Sequence, residues 1–299
     1  MTQGTGRFSE EWFGNWPQTD SYLASDGHVA RIPLRLKSTN LVVYGGADHA
    51  ETLKEFEHEA FVPVSVGGRT PVQLWCNNFT DTDCGPTDRL NPYLETWFSF
   101  PVTPRESPLE LPYESPFSLN VEHPAALNIT HRVLCGGDRT GYTVGAQSAI
   151  ACGREVWGFP KHPALADLEF DYVGGDSVSF SARHLNRRVY TLRATIPERV
   201  DGHLSVPVDA RTAVDGCITP KQNPYRAGFV PKQTRYAIAM AANMAFSAWD
   251  PATDQLDIQG EDDHFGGLLK SWHFSPELKM HTTDFKVVAL KPAGWGAPL

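Results

Sequence analysis

Long apolar runs, signal-like segments and paired cysteines are all missing from this chain, and each absence argues against a class of function. The longest nearly apolar stretch, Tyr236 to Trp249, falls short of the roughly 20 residues a bilayer crossing needs, so no membrane span is expected. Met1 to Ser21 is polar and has no apolar h-region, which predicts a cytoplasmic rather than a secreted protein. The sequons Asn78-Phe79-Thr80 and Asn128-Ile129-Thr130 are short patterns that arise by chance. The five cysteines (Cys76, Cys84, Cys135, Cys152 and Cys217) include no Cys-x-x-Cys pair, which fits reduced thiols better than a disulfide framework and predicts no zinc. A net charge of −9, from 26 basic and 35 acidic residues, comes without any basic run that could track phosphates, so nucleic acid is not an expected partner. There is no P-loop, HExxH, GxSxG or helix-opening GxGxxG, which removes the commonest nucleotide, metalloprotease and serine-hydrolase readings. The eleven histidines are dispersed, and His49 and His58 lack the spacing of paired ligands on one helix face.

What is present is material for one large core. The chain has 299 residues, 41% of them hydrophobic, with no linker to divide it. Its 25 glycines and 23 prolines are scattered, which predicts many short strands and turns. Residues 1–28 read as an irregular arm whose Trp12, Phe13 and Trp16 pack on the body or on a neighbouring subunit, and residues 29–299 read as the domain. Strands are predicted at Leu41 to Tyr44, Pro71 to Trp75 and Tyr93 to Val102, a helix at Asp48 to Phe61, and a turn-rich loop at Asn77 to Pro92. A small-residue helix over Tyr142 to Cys152 precedes Gly153, which sits where a capping glycine would. Val178 to Ala182 and Val189 to Ile196 form a hairpin; Tyr236 to Trp249 reads as a strand by its period of two; Phe285 to Leu290 is the last strand.

Chemistry centres on Gly153-Arg154-Glu155-Val156-Trp157-Gly158-Phe159-Pro160-Lys161-His162-Pro163. Turn residues Gly158 and Pro160 set Lys161 between an apolar approach and a rigid exit, with Trp157 and Phe159 available as pocket walls. An amine with a reference pKa of about 10.4 is protonated at neutral pH, and it attacks a carbonyl only where its surroundings favour the neutral form. Aromatic desolvation or a second cation has that effect. The ordinary alternative is a solvated lysine on a proline-rich loop. Upstream, Tyr93-Leu94-Glu95 puts a carboxylate near the start of a strand, on a face that alternation alone leaves open.

This stretch resembles the signature of the acetoacetate decarboxylase family, in which a helix runs into a Gly-Arg-Glu turn and then Pro-Lys-Lys. The match is Gly153-Arg154-Glu155, the seven-residue step from Arg154 to Lys161, and Pro160 directly before the lysine. The resemblance extends over residues 30–290 through Tyr93-Leu94-Glu95 and the later hairpin, with an insertion between Pro104 and Arg139. It implies that Lys161 forms an imine with a keto acid and that Glu95 faces it. Arg154 and Glu155 become an ion pair framing the loop, and Trp157, Phe159, Trp75 and Tyr93 surround the substrate. The family's second glutamate falls on Trp75, and its N-terminal arginine near Arg35 or Lys37. The family's second lysine is His162 here, ordinarily neutral at pH 7 and a weaker cationic aid, so desolvation carries more of the activation. Activation by desolvation or an adjacent cation is the established behaviour of acetoacetate decarboxylase itself. His123 and His162 are candidate proton carriers, although a histidine is more often simply a packed polar residue.

The fold implied is a single α+β domain with a strongly curved antiparallel sheet, or cone-like β-barrel, flanked by helices. The function implied is a Schiff-base lyase that decarboxylates a β-keto acid bulkier than acetoacetate, without metal or organic cofactor, in a homo-oligomer. Two alternatives stand beside it: an aldolase-dehydratase, hydratase or cyclase acting on a keto acid or secondary metabolite, and a non-catalytic small-molecule binding protein.

Overall fold

The computed structural model describes residues 8, 10–56, 60–83, 92–108, 110–111, 127–137, 144–163, 168–197, 214–218, 235–262 and 264–291. The N-terminal segment forms a short helix, α1 (Glu11–Gly14), and a hairpin of β1 (Asp20–Leu23) with β2 (Val29–Ile32). The long strand β3 (Leu34–Asp48) runs into α2 (His49–Glu55), where the Asp48 carboxylate accepts the Glu51 N–H and caps the helix. Next come β4 (Phe61–Pro63), β5 (Ser65–Val66), β6 (Arg69–Thr82), β7 (Tyr93–Pro104), β8 (Glu110–Leu111) and β9 (Leu127–Gly136). Helix α3 (Val144–Cys152) passes directly into a π-helical turn, Gly153–Trp157, which delivers the chain to β10 (Lys161–Pro163). The remaining elements are β11 (Leu168–Val173), β12 (Ser177–His184), β13 (Arg187–Thr195), β14 (Val214–Ile218), β15 (Arg235–Ala248), β16 (Gln255–Asp257), α4 (Gly266–Ser271) and β17 (Ser275–Ala289). The described fold is mostly sheet with a few short helices.

Strands β4, β7, β9, β14, β15, β17, β3, β6, β5 and β8 follow one another in the large sheet, with β10 added to β9 and a further pairing of β6 with β7. A second sheet runs β11-β12-β13-β16. Alternation along the large sheet sends Leu41, Val43, Leu74, Cys76, Phe98 and Phe100 to one face, where they pack with Val178, Phe180 and Tyr190 of the small sheet and with Phe265, Leu269 and Trp272 around α4. The opposite face carries two further apolar clusters. One joins Leu36, Phe79, Tyr93, Val133 and Cys135 to α3 and Trp157, and the other gathers Val42, Tyr44, Trp75, Met244, Met280 and Phe285. Between them lies a band of polar side chains that includes the candidate site.

The expected hairpin is observed, with Leu185 and Asn186 in the left-handed region at its turn, and Tyr236 to Trp249 is strand over all but its last position. Three expectations need correction. Asn77 to Thr82 is not loop but the end of β6, because β3 along its length and β7 as far as Phe79 satisfy its backbone. Helix α2 stops at Glu55, with Phe56 extended and buried as its cap. Gly153 does not end α3; the chain continues as a π-helical turn and the left-handed cap is Gly158, at φ 73°. Beyond these three, the segment Phe265 to His273 holds α4, whose first N–H groups are received by the Asp262 carboxylate. The aromatic arm packs on its own chain, with Phe8 and Phe13 buried against Val288. No helix among the described residues is long and apolar enough to cross a membrane.

Candidate active site

Strand β10 lies parallel to β9, with Lys161 opposite Val133, and β9 lies antiparallel to β7, with Cys135 opposite Glu95. That register brings Lys161 Nζ to 2.6 Å from Glu95 Oε2. Both residues are only 6% exposed, so this is a buried ion pair and not a surface contact. The Cys135 thiol donates to the same carboxylate oxygen at 2.9 Å. Burial first, and then the neighbouring Glu95 carboxylate, push the Cys135 thiol well above the usual thiol range, so it stays a donor. Cys135 was not singled out from sequence: only the β7–β9 register places it.

Aromatic rings border the amine. Its Nζ lies 5.7 Å from the Tyr93 ring and 5.6 Å from the Phe159 ring. Tyr93 and Glu95 are two residues apart on β7 and therefore share a face, which is the physical content of the Tyr-x-Glu spacing. Tyr93 is steadied by stacking on Phe79, with centroids 4.7 Å apart. Trp157 is fully buried in the apolar cluster behind the turn, its indole N–H donating to the Leu290 carbonyl at 2.9 Å.

The turn before Lys161 is built to aim it. The Phe159 N–H reaches the Gly153 carbonyl at 3.0 Å, the Lys161 N–H reaches Phe159 across Pro160 at 2.8 Å, and Arg154 Nε donates to the Lys161 carbonyl at 2.8 Å. Gly153 has a different task from the cap expected of it. A Cβ there would lie 2.7 Å from Lys161 Cε and 2.8 Å from Cδ, so the lysine chain passes over a position that must lack a side chain. Glu155 turns to the N-terminal segment, accepting from Tyr22 Oη at 2.9 Å and from the Ser25 N–H and hydroxyl. Arg154 thus holds the lysine backbone while Glu155 anchors the arm.

His162 follows Lys161 along a strand, so its side chain leaves by the other face. Its ring stacks on His264 at 5.9 Å and meets His184 at 6.3 Å. Burial, then the Arg132, Arg154, His184 and His264 charges, push its pKa down to about 3, leaving it neutral at physiological pH. On this side a cavity of about 280 Å³ is lined by His184, Leu185, Arg187, Asp262 and His264. His123 lies outside the described residues. Among the described residues, no group of three or more His, Cys, Asp or Glu side chains is arranged to hold a metal ion.

The residue opposite Glu95 on β6 is Asn77, not Trp75, and Asn77 Nδ2 donates to the Glu95 carbonyl at 3.3 Å. Trp75 lies two residues along the same face, stacked on Trp97 at 4.7 Å. Arg35 and Lys37 point to the arm: Arg35 donates to the carbonyls of Phe13 and Trp16, and Lys37 pairs with Glu10. The β3 residue in the row of Glu95 is instead Asn40.

Comparison with known proteins gives the same direction. The sequence model of the family described as acetoacetate decarboxylase (ADC) matches residues 59–224, more than half of the chain. No curated protein shows significant sequence similarity to the chain. The fold is similar to that of acetoacetate decarboxylase from Legionella pneumophila subsp. pneumophila str. Philadelphia 1, at a TM-score of 0.56 and 12% identity over 87% of this chain and 86% of that one. The enduracididine biosynthesis enzyme MppR aligns at a TM-score of 0.48 and 11% identity, over 87% and 86% of the two chains. Another acetoacetate decarboxylase structure aligns at 0.45 and 15% identity, over 87% of each chain.

Proposed function

The chain belongs to the acetoacetate decarboxylase family, and from that premise we propose that it is a lysine-imine lyase that decarboxylates a β-keto acid larger than acetoacetate. The observation that carries this reading is the 2.6 Å contact between the buried Lys161 amine and the Glu95 carboxylate, bordered by Tyr93 and Phe159. Glu95 is within reach to take the ammonium proton, which frees the nitrogen lone pair to attack the ketone. Loss of water from the adduct gives a protonated imine. The bond between the α-carbon and the carboxylate then breaks, its electron pair moves into the C=N system to leave an enamine, and carbon dioxide departs. A proton returns to the α-carbon, and water hydrolyses the imine to release the ketone and regenerate Lys161. The low-polarity wall favours the carboxylate-losing step, because a carboxylate is less stable there than the neutral gas that replaces it. The same reading takes the large sheet as the cone-like barrel of this family, supported by the pairing of β6 with both β3 and β7.

Incubation with β-keto acids followed by borohydride reduction tests the imine. A mass adduct on the Lys161 peptide is expected, together with carbon dioxide release that Lys161→Ala abolishes without unfolding the protein. No adduct with any keto acid overturns the covalent reading, and an adduct without gas evolution transfers the protein to the aldol and dehydration reactions.

A further inference from the structure

One row of side chains crosses the interior face of the large sheet. Cys135, Glu95, Asn77, Asn40 and Thr282 are successive cross-strand partners on β9, β7, β6, β3 and β17. Directly opposed residues in antiparallel strands project to the same face, so all five look the way Glu95 and Lys161 do. Ser38, two residues from Asn40 on β3, joins them. Asn40 and Thr282 are 0% exposed and Ser38 is 4% exposed. Yet Asn40 Oδ1, Asn40 Nδ2, Thr282 Oγ1 and Ser38 Oγ have no hydrogen-bond partner among the described residues. Buried polar side chains are normally satisfied, and an unsatisfied one is costly, so four such atoms in one patch need a reason.

We propose that Asn40, Thr282 and Ser38 form a recognition subsite for an uncharged hydrogen-bonding group, an amide or hydroxyl, carried by the substrate away from its reacting ketone. This rests on Lys161 as the residue that holds the ketone. Asn40 stands two strands from Glu95 and Thr282 three, a separation of about 10–14 Å along the sheet at the usual strand spacing. Acetoacetate does not span that distance. The subsite is flanked by the Trp75–Trp97 stack and by Met280, Met244 and Phe285, which suit an apolar connecting chain. Its own polar atoms are all neutral, and Arg35 and Lys37 are engaged with the arm, so a charged tail would be buried among these residues without a counter-charge. Asn40 offers a donor and an acceptor side by side, the complement of a primary amide.

The test uses two methyl ketones of equal length, the stable products of the proposed reaction, one ending in a primary amide about 10 Å from the ketone and one in the isosteric branched alkyl group. Binding to the Lys161→Ala protein, which forms no imine, is measured by calorimetry. The amide ketone is expected to bind at least about tenfold more tightly, the difference a hydrogen-bonding subsite makes between matched ligands. Thr282→Val and Asn40→Leu should each remove most of that preference while leaving the alkyl ketone's affinity in place. Equal binding, tighter alkyl binding, no binding of either ketone, or a preference that survives both substitutions overturns the subsite. Borohydride trapping of the same ketones on the unsubstituted protein judges Lys161 separately: an adduct without amide preference rejects the subsite alone, and amide preference without an adduct rejects the imine alone.

Discussion

The buried pair of Lys161 and Glu95 makes a quantitative claim about stability that does not depend on turnover. Each side chain is 6% exposed and the charged atoms are 2.6 Å apart. Taking either ion out of water costs several kcal/mol, and their mutual attraction roughly offsets this, of order 6 kcal/mol at this separation and an effective dielectric of about 20. Lys161→Met leaves the Glu95 carboxylate buried without its cation, and Glu95→Gln turns an amide toward the ammonium; each should destabilise by about 3–5 kcal/mol. The double variant removes both charges and should return to within about 1–2 kcal/mol of the parent, a coupling of about 3 kcal/mol or more. Urea unfolding followed by tryptophan fluorescence measures all four proteins, and the comparison holds while the denaturant slope stays constant. Single losses below about 1 kcal/mol, or losses that add to within about 0.5 kcal/mol, would mean that the two side chains are solvated or apart, and the site as built from β7, β9 and β10 would be wrong.

Gly153→Ala places a Cβ against Lys161 Cε and Cδ and should lower the rate of borohydride-trapped adduct by about 100-fold, as a displacement of about 1 Å does at a reacting group; trapping at the parental rate would show that the lysine does not need that path. Thr282→Val removes a buried hydroxyl with no partner among the described residues and should raise stability by about 1 kcal/mol in urea unfolding, whereas a loss of that size would reveal a structural role for the hydroxyl. His162 is neutral in the folded chain, with its pKa pushed down to about 3, and it gains a proton on unfolding below about 6.5. Its contribution is therefore fully present above about pH 6.5 and is lost as pH falls toward 3. Between pH 7 and 4.5 the parent should lose about 1–2 kcal/mol more than His162→Asn, after discounting for the ring's partial exposure, and parallel pH profiles would refute the burial assigned to it.

The family and the proposed nucleophile were legible in linear order because they rest on local geometry. A π-helical turn, a left-handed glycine and a proline fall within one short run, so Gly153-Arg154-Glu155, the step to Lys161 and Pro160 survive as a readable string. Tyr93 and Glu95 were legible for the same reason, since two residues on one strand share a face. Arg154 and Glu155 were found as residues, but their partners, the Lys161 carbonyl and the Tyr22–Ser25 segment, were not. The end of β6 was hidden because its Asn-Asn-Phe-Thr-Asp-Thr composition mimics a loop, while in the fold its backbone is paired with β3 and β7 and Asn77 is buried beside Glu95.

Linear order is enough to read a lysine after a rigid turn in a β-rich chain, because turn chemistry and strand period act over a few residues. Strand pairing in three dimensions is what sets Cys135 against Glu95, extends its row through Asn77 and Asn40 rather than Trp75 and Arg35, and turns His162 away from the amine. These are matters of register between strands tens of residues apart in the chain, as β6 with β7, β3 with β6 and β9 with β7 illustrate. A shift of one residue in any of those pairings would send a whole strand's side chains to the opposite face, and nothing local in the chain records which register wins.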